Sequence, residues 1–199
     1  MWPGSTDPVR ELRRAGTAAE ARVADVTLAQ VSTDEQREDA GPLVREYLAA
    51  LNAHLLLEYG LSFDAGAMIR SDLSDAHKFR PPDGRFYVAR HGGHVAGVGA
   101  LRQLDRHVGE LQRMYVRPAF RGSGIGLALA TRLIEDARTI GYRRLRLESL
   151  EFLKAAHGLY RSLGFREIDA YAHNGMGAYQ SHHQLDRHYG ITVFMEMDL

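Results

Sequence analysis

VGELQRMYVRPAFRGSGIGLALATRLIEDARTI, residues 108–140, passes from a strand-like run through a glycine-rich turn into an amphipathic helix. Beyond Pro118, the turn Arg121-Gly122-Ser123-Gly124-Ile125-Gly126 carries three glycines, whose missing Cβ lets the backbone come close to a ligand. Leu129, Ala130, Leu133, Ile134, Ala137 and Ile140 then recur at intervals of three and four, one buried helical stripe. The first turn of such a helix directs unpaired N–H groups and a positive dipole end toward the glycines. A phosphate or pyrophosphate is the natural partner.

Two familiar phosphate loops do not fit. A Walker loop needs Lys and then Ser or Thr after its last glycine, and Leu127 and Ala128 stand there. A dinucleotide fingerprint opening at Gly122 needs glycine at 127, which is Leu. What remains is R-x-x-G-x-G from Arg121 through Gly124 to Gly126, preceded by Met114, Tyr115 and Val116. A glycine-rich turn into an ordinary helix is the plain alternative.

Working outward, Phe86–Arg90 and Val95–Leu101 flank His91-Gly92-Gly93-His94, a hairpin with a glycine turn, and residues 108–116 extend the meander. Arg144–Glu148 alternates polar and apolar, a strand with one buried face that leaves Arg143, Arg144 and Arg146 on a solvated side. Phe152 to Leu163 reads as a helix stopped at Gly164, and residues 165–168 and 191–197 as the last strands. Upstream, residues 26–31 read as a strand, Ser32-Thr33-Asp34 as a helix cap, residues 43–59 as a helix ended by Gly60, and 64–77 as a short helix. Residues 1–24 lack a sustained apolar face and read as a loose N-terminal arm, which leaves 25–199 as the domain. Residues 170–190 read as a polar loop rich in His and Tyr. The order implies a single α/β domain with a mixed, mostly antiparallel sheet flanked by helices.

At 199 residues one domain is expected. Lys+Arg and Asp+Glu both number 25, so no global basic field points to nucleic acid. The absence of cysteine excludes disulfides, thiolate zinc sites and a cysteine acyl-enzyme. No apolar run approaches the roughly 20 residues of a membrane span, and residues 1–16 lack a signal-peptide core, so a cytoplasmic protein without membrane contact is expected. His182, His183, Asp186 and His188 fit no zinc spacing, and no metal is expected; a solvated loop is the simpler reading. His91 and His94 are hairpin-turn residues.

With the meander, RMYVRPAFRGSGIG, RRLRLES and LYRSLGF in this order, residues 85–168 resemble the GNAT superfamily of N-acetyltransferases, bacterial enzymes with small substrates in particular. The resemblance implies a sheet splayed between the fourth and fifth strands, with acetyl-CoA lying in the gap as a cosubstrate. Backbone groups of Met114, Tyr115 and Val116 would hold its pantetheine and thioester, and amides of Arg121, Gly122, Ser123, Gly124, Ile125 and Gly126 its pyrophosphate. It gives Tyr160 the role of general acid toward the departing sulfur, the alternative being a core tyrosine. Glu110 matches a position where several members carry a general base, the alternative being an exposed strand carboxylate. On a regular strand Glu110 would share its face with Val108, Met114 and Val116; a bulge would shift that phase. Leu153 replaces an asparagine that the family often uses on the coenzyme arm.

The implied activity is transfer of an acetyl group to a primary amine by direct attack, the acceptor being a small molecule or a protein amine. A catalytically silent acyl-CoA sensor is the alternative. Tyr171, His173, Asn174 and Tyr179 would border the acceptor cleft. A homodimer stays open, since a partner face would read as core.

Overall fold

A computed structural model describes residues 25–74, 78–171 and 179–199; the expected arm, His173 and Asn174 lie outside them. The first strand, β1, is Val26–Gln30. Thr33 then caps a helix by a reciprocal pair: its hydroxyl accepts from the Gln36 N–H, and the Gln36 side-chain Oε1 accepts from the Thr33 N–H at 3.0 Å. This helix, α1, runs from Asp34 to Tyr59, about two and a half turns longer at its start than the 43–59 expected from the periodicity. Pro42 lies inside it, at a typical cost of about 3 kcal/mol. Ala40, Leu43 and Val44 around it are fully buried, and burial of two such large side chains, at about 1.5–3 kcal/mol each, offsets that cost. Gly60, at φ 60°, ends the helix.

Helix α2 is Ala65–Ser74. The meander follows as β2, Arg85–His91, β3, His94–Asp105, and β4, Val108–Val116. After it come α3, Ile125–Ile140, β5, Arg144–Leu150, α4, Lys154–Ser162, β6, Arg166–Ile168, α5, His182–Tyr189, and β7, Thr192–Asp198. The strands form one seven-stranded sheet ordered β1-β2-β3-β4-β5-β7-β6, antiparallel except for β4 beside β5.

That parallel pair decides where a ligand fits. β4 and β5 are in register only from Val108↔Arg144 to Leu111↔Leu147. Beyond Leu111 they part, which leaves the outer half of β4 without a strand neighbour on that side. On its other edge β4 carries a bulge: Ala100 faces Gln112 and Val98 faces Tyr115, so Arg113 and Met114 share one partner position, with Arg113 at φ 55°. Gly99 sits opposite because a Cβ there would stand 2.8 Å from Met114 Sδ. The bulge reverses the regular-strand expectation. Met114 and Val116 pack with Leu111 on the α3 face, whereas Glu110 and Tyr115 face α1.

Two cores fill the two faces. Leu129, Leu133 and Ala137 of α3 pack with Leu145, Leu147 and Met195 on one; Leu43, Leu48 and Leu55 of α1 pack with Val88, Val98 and Ala100 on the other. Two expectations are corrected. Residues 182–189 form a helix, not a loop: the Ser181 carbonyl accepts from Gln184 and Leu185, Arg187 donates to the Tyr59 carbonyl at 2.6 Å, and His188 is buried. Arg144 and Arg146 are not simply solvated either, because β7 sets Glu196 and Asp198 against them, with contacts of 3.3 Å for Arg146–Glu196 and 2.9 Å for Arg144–Asp198.

Candidate active site

The glycine loop is built as its sequence requires. A 3-10 turn, Pro118–Phe120, leads into it, and the Arg121 N–H is engaged by the Pro118 carbonyl at 3.3 Å. Gly122 and Gly124 hold φ of 80° and 85°, a region that side chains with a Cβ rarely adopt, and Gly124 is the residue before the first turn of α3. Among the described residues, no backbone carbonyl takes the amides of Gly122, Ser123 or Gly124, and those of Ile125 and Gly126 open the helix. The Ser123 hydroxyl turns back to the Phe120 carbonyl at 2.5 Å, so only its amide faces outward in role.

Beside the loop lies a groove of about 620 Å³. Met114, Tyr115 and Val116 line it from β4, and Arg121, Gly122, Gly124, Ile125 and Gly126 from the loop, so nearly every residue expected around the coenzyme meets here. Ser123 alone of that set is not in its lining. Tyr160 lines the same groove from α4, its ring edge-on to Phe165 at 5.8 Å, and its hydroxyl has no hydrogen-bond partner among the described residues. Burial raises the Tyr160 pKa, so the phenol is firmly protonated. Leu153, where an asparagine would be usual, starts α4 without a side-chain cap; its carbonyl accepts from Ala156 and His157.

A second, smaller cavity of about 100 Å³ lies under α1. Tyr47, Leu51 and Leu153 line both spaces, so the two meet at a shared wall. Glu110 lines the small cavity, but its carboxylate is already engaged. Arg102 Nε donates to Oε2 at 2.5 Å, Gln112 Nε2 to the same oxygen at 2.6 Å, and the Tyr171 hydroxyl to Oε1 at 2.9 Å. Three donors thus occupy both oxygens of the carboxylate. In turn, burial and the Glu110 charge keep Tyr171 protonated, its ring lying under the Arg146 guanidinium at 4.8 Å.

Glu148, at the outer end of β5, has the opposite surroundings. Its Oε1 is buried without a hydrogen-bond partner among the described residues. Burial first, and then the Glu110 charge, pushes its carboxyl up to about 8. Two more buried polar atoms in the same cavity lack partners among the described residues, Gln112 Oε1 and His188 Nδ1. Burial lowers the His188 pKa, which favours the neutral imidazole. Such groups clustered in one space indicate a polar occupant. Sequence reading missed Glu148 because Arg144, Arg146 and Glu148 form one alternating stripe that begins at the surface. The stripe ends beneath α1 and the segment around Tyr179 and His188, which only the tertiary fold brings there.

A sheet parted beside a helix N-terminus, with a long groove and a polar cavity meeting at the parting, is the architecture of an acyltransferase. Residues 48–165 match the acetyltransferase (GNAT) family, and the chain belongs to it. Over 117 residues it is 38% identical to YjgM of Escherichia coli (strain K12), an uncharacterized N-acetyltransferase, a match that covers 56% of this chain and 70% of that one. It is also 38% identical over 108 residues to N-acetylaspartate synthetase of Rattus norvegicus, covering 53% of this chain but 36% of that protein. In fold it resembles yncA from Salmonella typhimurium, solved with its cofactor acetyl-CoA (TM-score 0.57, 19% identity, 87% of this chain and 94% of that one).

Proposed function

We propose that this chain transfers an acetyl group from acetyl-CoA to the amine of a small acceptor by direct attack, with both substrates bound together. The observation that carries the reading is the shared wall at Tyr47, Leu51 and Leu153: on one side the groove with a tyrosine hydroxyl, on the other the cavity with a carboxylate oxygen, neither with a hydrogen-bond partner among the described residues. The groove suits the coenzyme. Loop amides and the α3 N-terminus favour a diphosphate, and the outer half of β4 has backbone groups free to meet an extended pantetheine arm. When bound, acetyl-CoA supplies the activated thioester carbon.

An amine such as lysine's, with a pKa near 10.4, is neutral only about once in 2,500 molecules at pH 7. Glu148, rather than Glu110, is the group suited to remove its proton, because its carboxyl titrates at about 8 and its Oε1 is open to accept. Gln112 Oε1 orients a second N–H of the amine. The C–N bond forms, the C–S bond breaks, and the Tyr160 hydroxyl gives its proton to the departing sulfur. The reaction proceeds without a covalent enzyme intermediate on cysteine, which the chain does not contain.

Titration calorimetry with acetyl-CoA, combined with thiol release across a panel of small amines, tests the reading. Binding accompanied by amine-dependent release is the expected outcome. Tight binding with no release for any amine would make the chain an acyl-CoA sensor instead.

A further inference from the structure

The walls of the small cavity are unbalanced in charge once the proton-transfer pair is set aside. Lys78 and Arg113 both line it. Both rest on one carboxylate: Asp72 accepts from Lys78 Nζ at 2.8 Å, from Arg113 Nη2 at 3.0 Å and from Arg113 Nε. Solvent does little to screen them, since the side chains of Lys78, Arg113 and Asp72 are 16%, 11% and 0% exposed. Arg102 and Glu110 form a second pair that cancels itself. Lys78, Arg113 and Arg102 against Asp72 and Glu110 therefore leave one positive charge among the described residues.

Glu148 does not remove that surplus. Glu148 and the acceptor amine exchange one proton, so together they are neutral before the transfer and after it. His188 is buried and neutral and adds nothing. A buried charge without a counter-charge is costly, and a ligand anion is its natural partner. Gln112 Nε2 is committed to Glu110, which leaves Gln112 Oε1, like Glu148 Oε1, as an acceptor for N–H groups in the cavity. The same lining thus offers acceptors for an amine and a cationic surplus for an anion, in a space far below the roughly 300 Å³ at which drug-sized sites begin.

We infer, on the basis of the acetyl-transfer reading above, that the acceptor is a small amino acid whose amine lies against Glu148 and Gln112 and whose carboxylate is held by Lys78 and Arg113. Lys78 and Arg113 are then specificity residues, with no part in the proton transfers.

The test measures thiol release with small L-α-amino acids, each paired with its own carboxamide. The carboxamide keeps the shape, loses the charge and has the more readily freed amine, so a preference for the acid runs against intrinsic reactivity. The expected result is a kcat/KM at least ~10-fold higher for the acid, carried by KM. In Lys78→Met the acid-to-amide ratio falls about tenfold, and Lys78→Arg restores most of it. Arg113 still neutralises Asp72 in both variants, and retained acetyl-CoA binding by calorimetry verifies that they fold. Equal use of acids and amides, or a Lys78→Met loss that is the same for both, overturns the inference and leaves acetyl transfer standing. Failure of every amine and amino acid despite coenzyme binding overturns both.

Discussion

Glu148→Gln separates catalysis from stability, because the same buried carboxyl should serve one and harm the other. With a pKa of about 8, roughly one-tenth of Glu148 is ionised at pH 7 and about nine-tenths at pH 9. The wild-type kcat/KM should therefore climb about tenfold between those values, with an acceptor whose own amine titrates near 10 so that the two limbs stay apart. In Glu148→Gln that limb disappears, and kcat/KM at pH 8 falls by roughly 100-fold or more, the usual range for loss of a general base. Stability should move the other way. The carboxyl titrates at 4.5 when exposed and at about 8 in the fold, so between these values the native state holds a proton that the unfolded chain has released. Raising the pH through that window therefore lowers stability. At pH 7 the cost is on the order of 3 kcal/mol, and the glutamine variant escapes it. Chemical denaturation at pH 4 and pH 8 should show the two proteins converging at pH 4 and the variant more stable at pH 8. A variant that keeps the activity limb near pH 8, or that is less stable at pH 8, would refute the assignment of the base.

Tyr160→Phe should lower kcat by about 10- to 100-fold while the acetyl-CoA Kd stays within about threefold, as single-turnover kinetics and calorimetry would register. Glu110→Gln withdraws the anion from Arg102, Gln112 and Tyr171, so a loss of roughly 3–5 kcal/mol in denaturation is expected. Because the Glu110 charge helps to raise Glu148, the activity limb should also move to lower pH; complete loss of the limb would return the base role to Glu110. Gly126→Ala puts a methyl 3.4 Å from Leu159 Cδ2 on the groove wall. Thermal unfolding without ligand should barely change, whereas the acetyl-CoA Kd should rise about tenfold.

The glycine loop, and the groove beside it, were legible in the sequence because their determinants are local. Three glycines around Ser123, the helical stripe from Leu129 to Ala137 and the alternation into Val116 lie within one continuous segment. The small cavity was not, because it is assembled from Lys78, Arg113, Glu148 and His188, which belong to separate elements and meet only through packing. Glu148 read as the end of a solvated stripe, and Arg113 as an ordinary strand residue, because a bulge at positive φ leaves no mark in side-chain periodicity. Helix α5 was hidden for a related reason. HHQLDRHY carries little apolar pattern, and the helix is fixed instead by the Ser181 carbonyl at its start, the Arg187 contact to Tyr59 and the burial of His188. In α1 the apolar spacing is plain only from Leu43 onward, and the buried residues on either side of Pro42 carry the helix through it.

The short seam between β4 and β5 has a mechanical consequence. Four residue pairs alone join a subsheet of four strands to one of three, so the two halves are held together along a short edge. An extended ligand arm laid along Gln112–Val116 would splint the two halves and slow amide exchange on that edge. A ligand held only by the native state at a hundred times its Kd adds about 2.7 kcal/mol. A coenzyme bound there would in this sense be a missing structural member of the sheet as well as a reagent, and its release would return the seam to its most pliable form.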